Sequence, residues 1–98
     1  MKKNTLIKKL NQIKPSLEKF GVKRLGLFGS YVRNESKKDS DIDFLVEFKE
    51  GKKNYNNFIH LVFFLEDFFC KKVDLLTLSS LSPYIRPYIL AEVEYIEI

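Results

Sequence analysis

Three aspartates and a Gly-Ser pair carry the chemistry that this chain can do. Gly29-Ser30 is followed, after ten intervening residues, by Asp41-Ile42-Asp43, and Asp74 comes later in the chain. On a β-strand, residues i and i+2 share a face, about 6.6 Å apart. Asp41 and Asp43 therefore project side by side, with Ile42, Phe44 and Val46 pointing the other way into a core. Two carboxylates so placed repel each other unless a cation lies between them. Oxygen ligands of this kind suit Mg²⁺ or Mn²⁺. Gly29 has no Cβ, so a ligand can come close to its backbone. A helix or turn beginning at Ser30 would aim free N–H groups at an anion. A phosphate cradle beside a metal-binding carboxylate pair is what phosphoryl or nucleotidyl transfer requires. Asp74 stands between Val73 and Leu75 in a run that reads as buried, and a buried carboxylate needs a partner. A metal shared with Asp41 and Asp43 would be one.

The elements that must position these residues follow from apolar spacing. Leu6, Ile7, Leu10, Ile13, Leu17 and Phe20 recur at helical steps over residues 3–20. Pro15 predicts a break near Lys14, and Gly21 a C-terminal cap. Strands are expected at 22–29, 41–48 and 72–77, with a short polar turn or helix after Gly29-Ser30. A polar loop at 50–57 leads into a main helix over about 55–70. That helix has more apolar surface than one sheet face can cover, either because the N-terminal helix packs on it or because a partner does. His60 falls on its polar stripe. Ser82 as N-cap and Pro83 at the first position predict a last helix, with Tyr84, Ile85, Tyr88, Ile89 and Val93 as its apolar face. Residues 94–98 alternate and are expected on a sheet edge or as an extension.

Size and charge bound the rest. Ninety-eight residues suit one small domain spanning 1–98, and nine Phe among 45% apolar residues can form a core. One cysteine, Cys70, allows no intramolecular disulfide and fits a reducing cytoplasm. Lys and Asn interrupt the apolar residues of the first fourteen positions, which therefore do not read as a secretory leader. The longest apolar run, Leu61 to Leu65, cannot span a bilayer. The net charge of +4 permits an anionic ligand and does not by itself indicate nucleic-acid binding. The lysines of the first helix read as a solvated face.

Leu27-Phe28-Gly29-Ser30-Tyr31 with Arg33, then Ser40-Asp41-Ile42-Asp43, resembles the minimal nucleotidyltransferases of the DNA polymerase β-like superfamily, the MNT-domain antitoxins found beside HEPN toxins. Val32 and Asn34 depart from the family's usual small residue and glycine. The resemblance implies an α/β (α+β) fold with a small mixed sheet of three to four strands and helices packed against it. It implies that Gly29 and Ser30 hold the triphosphate of ATP, with Arg33 and Ser40 beside it. It further implies that Asp41, Asp43 and Asp74 bind Mg²⁺, with two ions expected, and that Asp74 helps to deprotonate the incoming hydroxyl. Arg33, Lys37 and Lys38 can neutralise phosphate charge; alternatively Arg33 can lock the turn through an ion pair, and Lys37 and Lys38 can be simply solvated. The implied reaction is AMP transfer to a tyrosine of a HEPN toxin in a hetero-oligomer, with neither membrane nor direct nucleic-acid contact. An antitoxin that neutralises by contact alone is the alternative.

Overall fold

The computed structural model describes all of residues 1–98. In chain order it contains α1 (Lys3–Gln12), α2 (Lys14–Lys19), β1 (Val22–Phe28), β2 (Ile42–Phe48), α3 (Tyr55–Phe69), β3 (Val73–Thr77), α4 (Arg86–Glu92) and β4 (Glu94–Glu97), with a 3-10 turn at Leu78–Ser80. The fold is α+β. The four strands form one sheet in the order β3-β2-β1-β4. β1 is antiparallel to both β2 and β4, whereas β2 and β3 run parallel. The parallel pair requires a crossover, and α3 supplies it. Residues 94–97 thus take the sheet-edge alternative.

Period-2 alternation divides the sheet into two faces. Leu25, Leu27, Ile42, Phe44 and Val46 point to one side and are buried. There they join Leu6, Leu10 and Leu17 from α1 and α2, and Leu61, Leu65 and Phe69 from α3, in the main core. The break between α1 and α2 falls at Ile13, just before Pro15 enters the first turn of α2. Gly21, at φ +80°, turns the chain into β1. Phe20 at the end of α2 packs against Phe64 with ring centroids 5.4 Å apart. The N-terminal helices therefore cover much of the apolar surplus of α3, and Phe63 remains exposed at 55%. Asn54 caps α3 by accepting from the Asn57 N–H at 2.8 Å. No helix is long and apolar enough to cross a membrane.

The other face bears Asp43 and a smaller core of Phe28, Leu45, Leu81 and Ile89. Two sequence expectations fail here. The last helix starts at Arg86 rather than after Ser82, so that Pro87 lies in its first turn. A helix begun at Pro83 would place Pro87 where an i→i−4 donor is needed. Ser82 instead closes a preceding turn, its carbonyl accepting from the Arg86 N–H at 3.0 Å. The expected apolar face also divides, because Ile89 is buried while Tyr84 and Tyr88 stand 86% and 77% exposed.

Candidate active site

The site forms where β1 ends. Gly29 has φ +77°, in the left-handed region that favours glycine. It also sits against β2: a Cβ at this position would lie 2.2 Å from Asp43 Oδ2. Only glycine allows the turn and the carboxylate to come this close.

The segment after Gly29 is a turn and not a continuing helix. Arg33 N–H donates to the Gly29 carbonyl at 3.3 Å and Glu35 N–H to the Ser30 carbonyl at 2.8 Å. Asn34 then takes φ +57° and ends the turn. Asparagine is one of the few residues that tolerate this conformation, so its replacement of the family's glycine preserves the backbone path. The N–H groups of Ser30, Tyr31 and Val32 make no hydrogen bond within the chain. Three successive free amides at a turn form an anion-binding concavity. Tyr31, which sequence reasoning did not single out, is 1% exposed and anchors the turn in the main core. Its hydroxyl donates to the Ser40 carbonyl at 3.4 Å, next to Asp41.

Pairing across the sheet sets the carboxylates. Phe28, Asp43 and Asp74 are in register on β1, β2 and β3. Asp43 and Asp74 are thus neighbours on one face of adjacent strands, about 4.8 Å apart in backbone spacing. Burial pushes the Asp43 carboxyl up to about 6; the charge of Asp74, a hydrogen bond with it and the charge of Asp41 act in the same direction, while Arg33 opposes them. Asp74 is exposed, contrary to the sequence expectation, because β3 is an edge strand and its outer face is uncovered. Asp41 falls one residue before β2, whose regular pairing begins at Ile42. Asp41 therefore contributes charge, but no group of three or more His, Cys, Asp or Glu side chains closes into a metal cage in this conformation. A divalent cation nevertheless fits the Asp43–Asp74 pair: the two acids crowd one another enough to raise a pKa, and hard oxygens are the donors. His60 is exposed and belongs to no such group.

The remaining candidates divide by contact. Arg33 forms an ion pair with Glu92 at 2.8 Å and with Glu35 at 3.3 Å, the locking role rather than a free phosphate contact. The hydrogen bond to Glu92, then that to Glu35, raises its pKa. Ser40 Oγ accepts from the Lys37 N–H at 2.7 Å and closes the turn that delivers Asp41. Lys37 and Lys38 are exposed, as a solvated pair should be. Glu92, at the end of α4, was not found by sequence reasoning. A separate cavity of about 550 Å³ lies farther along the same sheet face, beside Arg24, Glu47, Lys53 and Arg86, and none of the three aspartates lines it.

Residues 7–96 match the family model of the nucleotidyltransferase domain. The chain belongs to that family. This nucleotidyltransferase domain is 47% identical over 79 residues to the protein adenylyltransferase MntA of Thermococcus cleftensis, covering 81% of this chain and 79% of that one. A solved "putative minimal nucleotidyltransferase" superposes with TM-score 0.81 at 31% identity, covering 96% of this chain and 95% of the other. A chain in the complex of a tri-AMPylated Shewanella oneidensis HEPN toxin with MNT antitoxin shares the fold, with TM-score 0.57 and 24% identity over 95% of this chain and 66% of that one. In this nucleotidyltransferase domain, the Gly29 turn and the Asp43–Asp74 pair lie together where β1 ends.

Proposed function

We propose that this domain transfers AMP from ATP to a tyrosine hydroxyl of a HEPN-type toxin and so acts as that toxin's antitoxin. The observation that carries the reading is the contact of Gly29 with Asp43, which sets three free amides next to the paired Asp43 and Asp74. The Thermococcus adenylyltransferase and the AMPylated toxin complex support the choice of reaction and of partner.

The residues divide the work. The amides of Ser30, Tyr31 and Val32, with the Ser30 hydroxyl, hold the β- and γ-phosphates. Asp41, Asp43 and Asp74 would hold Mg²⁺, with two ions expected. When bound, the metal supplies neutralisation of phosphate charge and a more acidic acceptor hydroxyl. Asp74, open to solvent on the edge strand, faces an arriving acceptor and takes its proton. The tyrosine oxygen forms a bond to the α-phosphorus, the bond from that phosphorus to the bridging oxygen breaks, and pyrophosphate leaves. Such a transfer needs positioning and charge stabilisation more than covalent catalysis. The cytoplasm is the compartment we assign, where an exposed Cys70 thiol stays reduced.

The test is incubation with α-³²P-labelled ATP, Mg²⁺ and a HEPN toxin encoded beside the gene. Label on the toxin that disappears with D41A/D43A is expected. Neutralisation without label, surviving D41A/D43A, would replace the reading with antitoxin action by contact alone.

A further inference from the structure

We infer that Glu92 is a positioning residue for the phosphate cradle: one carboxylate at the end of α4 ties down both ends of the turn from Gly29 to Arg33. Its Oε1 accepts from the Gly29 N–H at 2.9 Å and from Arg33 Nη1 at 3.0 Å, and its Oε2 accepts from the same Nη1 at 2.8 Å. Gly29 and Arg33 are the first residue of the turn and the residue whose N–H closes it. Between them lie the three amides without a partner in the chain.

The placement of this carboxylate is not explained by its own helix. Glu92 is the last residue of α4, where the partial negative charge of the helix end disfavours an acid. The contacts that offset this are the Gly29 N–H and the Arg33 guanidinium. The Glu92 side chain is 26% exposed and that of Arg33 46%, so the pair is partly shielded from water. Charge-assisted hydrogen bonds of this kind are shorter and stronger than neutral ones.

The clamp does two things to the turn. It satisfies the Gly29 N–H, which has no backbone partner. It also holds the long Arg33 side chain in one conformation, so that the residue whose N–H closes the turn is fixed in place. Tyr31 pins the middle of the turn from the core side. The cradle is therefore preformed, and binding nucleotide need not order it.

This inference rests on the nucleotide-binding reading of the site, and the experiment separates the two. AMP-PNP binding with Mg²⁺ is measured by calorimetry for wild type, E92A, E92D and E92Q, at a temperature well below the melting point of each. E92A, without an acceptor, and E92D, one methylene too short to reach both donors, are expected to bind about tenfold more weakly. E92Q keeps an oxygen for Gly29 and should fall between, about threefold weaker. In turnover, KM for ATP should rise with little change in kcat. A residue that only anchors α4 would lower the melting point and leave the affinity of every folded variant at the wild-type value, which overturns the inference. Tighter binding by E92A would also overturn it, because Glu92 would then be competing with phosphate. If E92A does not fold, the affinities of E92D and E92Q decide between the same two outcomes. Wild type that binds no AMP-PNP overturns the site reading, and this inference with it.

Discussion

Replacing Asp43 with asparagine should make the metal-free protein more stable at neutral pH, although it removes a residue at the centre of the site. Burial, then the Asp74 and Asp41 charges, raise the Asp43 pKa from 3.8 to about 6. A carboxyl with a raised folded-state pKa binds its proton more tightly in the native state. Its contribution to stability is present below pH ~4 and is lost as pH rises through ~6. A shift of this size corresponds at most to ~3 kcal/mol. Asp43 is only partly shielded from water, so solvent screening reduces this to about 1 kcal/mol. For a chain of this length, that is about 5 °C in Tm. Asparagine has nearly the same shape as aspartate, so the contact with Gly29 is preserved. Urea denaturation of wild type and D43N, in buffer with EDTA, at pH 4 and pH 7.5 provides the assay. The two should be nearly equal at pH 4, with D43N ahead by about 1 kcal/mol at pH 7.5. Millimolar Mg²⁺ should then close the gap by stabilising wild type alone, since a ligand that binds only the native state adds to its stability. D43N less stable than wild type at pH 7.5, or a difference independent of pH, would refute the reasoning.

Other substitutions test other parts of the structure. G29A should destabilise by about 2 kcal/mol or more in thermal melts, because φ +77° disfavours a Cβ and a Cβ there would run into the Asp43 carboxylate. Y31A should cost about 3–5 kcal/mol in denaturant titrations, since a fully buried aromatic side chain is removed and a cavity is left. N34A should cost about 1 kcal/mol, because alanine resists the left-handed conformation that Asn34 adopts at φ +57°. F63S should alter stability by less than about 0.5 kcal/mol, because Phe63 is 55% exposed and packs little.

Local pattern carried much of this structure, and long-range pairing supplied the rest. Ile42, Phe44 and Val46 announced a buried face through simple alternation, and the break at Ile13 followed from Pro15. The Gly29-Ser30 motif placed the turn correctly because its geometry depends on residues near it in sequence. The position of Asp74 could not be judged in this way. Its apolar neighbours suggested burial, but exposure depends on β3 lying at the edge of the sheet, which strand order alone decides. Ser82 and Pro83 point locally to a helix start at Pro83, whereas the missing N–H of Pro87 moves the start to Arg86. Glu92 escaped notice because it meets Arg33 across 59 residues of chain and stands in an otherwise ordinary Ala-Glu-Val stretch. Its signal was present only as an unpaired acid at an unfavourable helix end, together with an arginine in need of a partner.

The most direct measurement is the anomalous scattering of Mn²⁺ in crystals of the protein grown with AMP-PNP. Manganese in contact with the carboxylates of Asp43 and Asp74, and terminal phosphates on the amides of Ser30, Tyr31 and Val32, is the expected result. Manganese elsewhere, or phosphates seated in the cavity beside Arg24, Lys53 and Arg86, would contradict it.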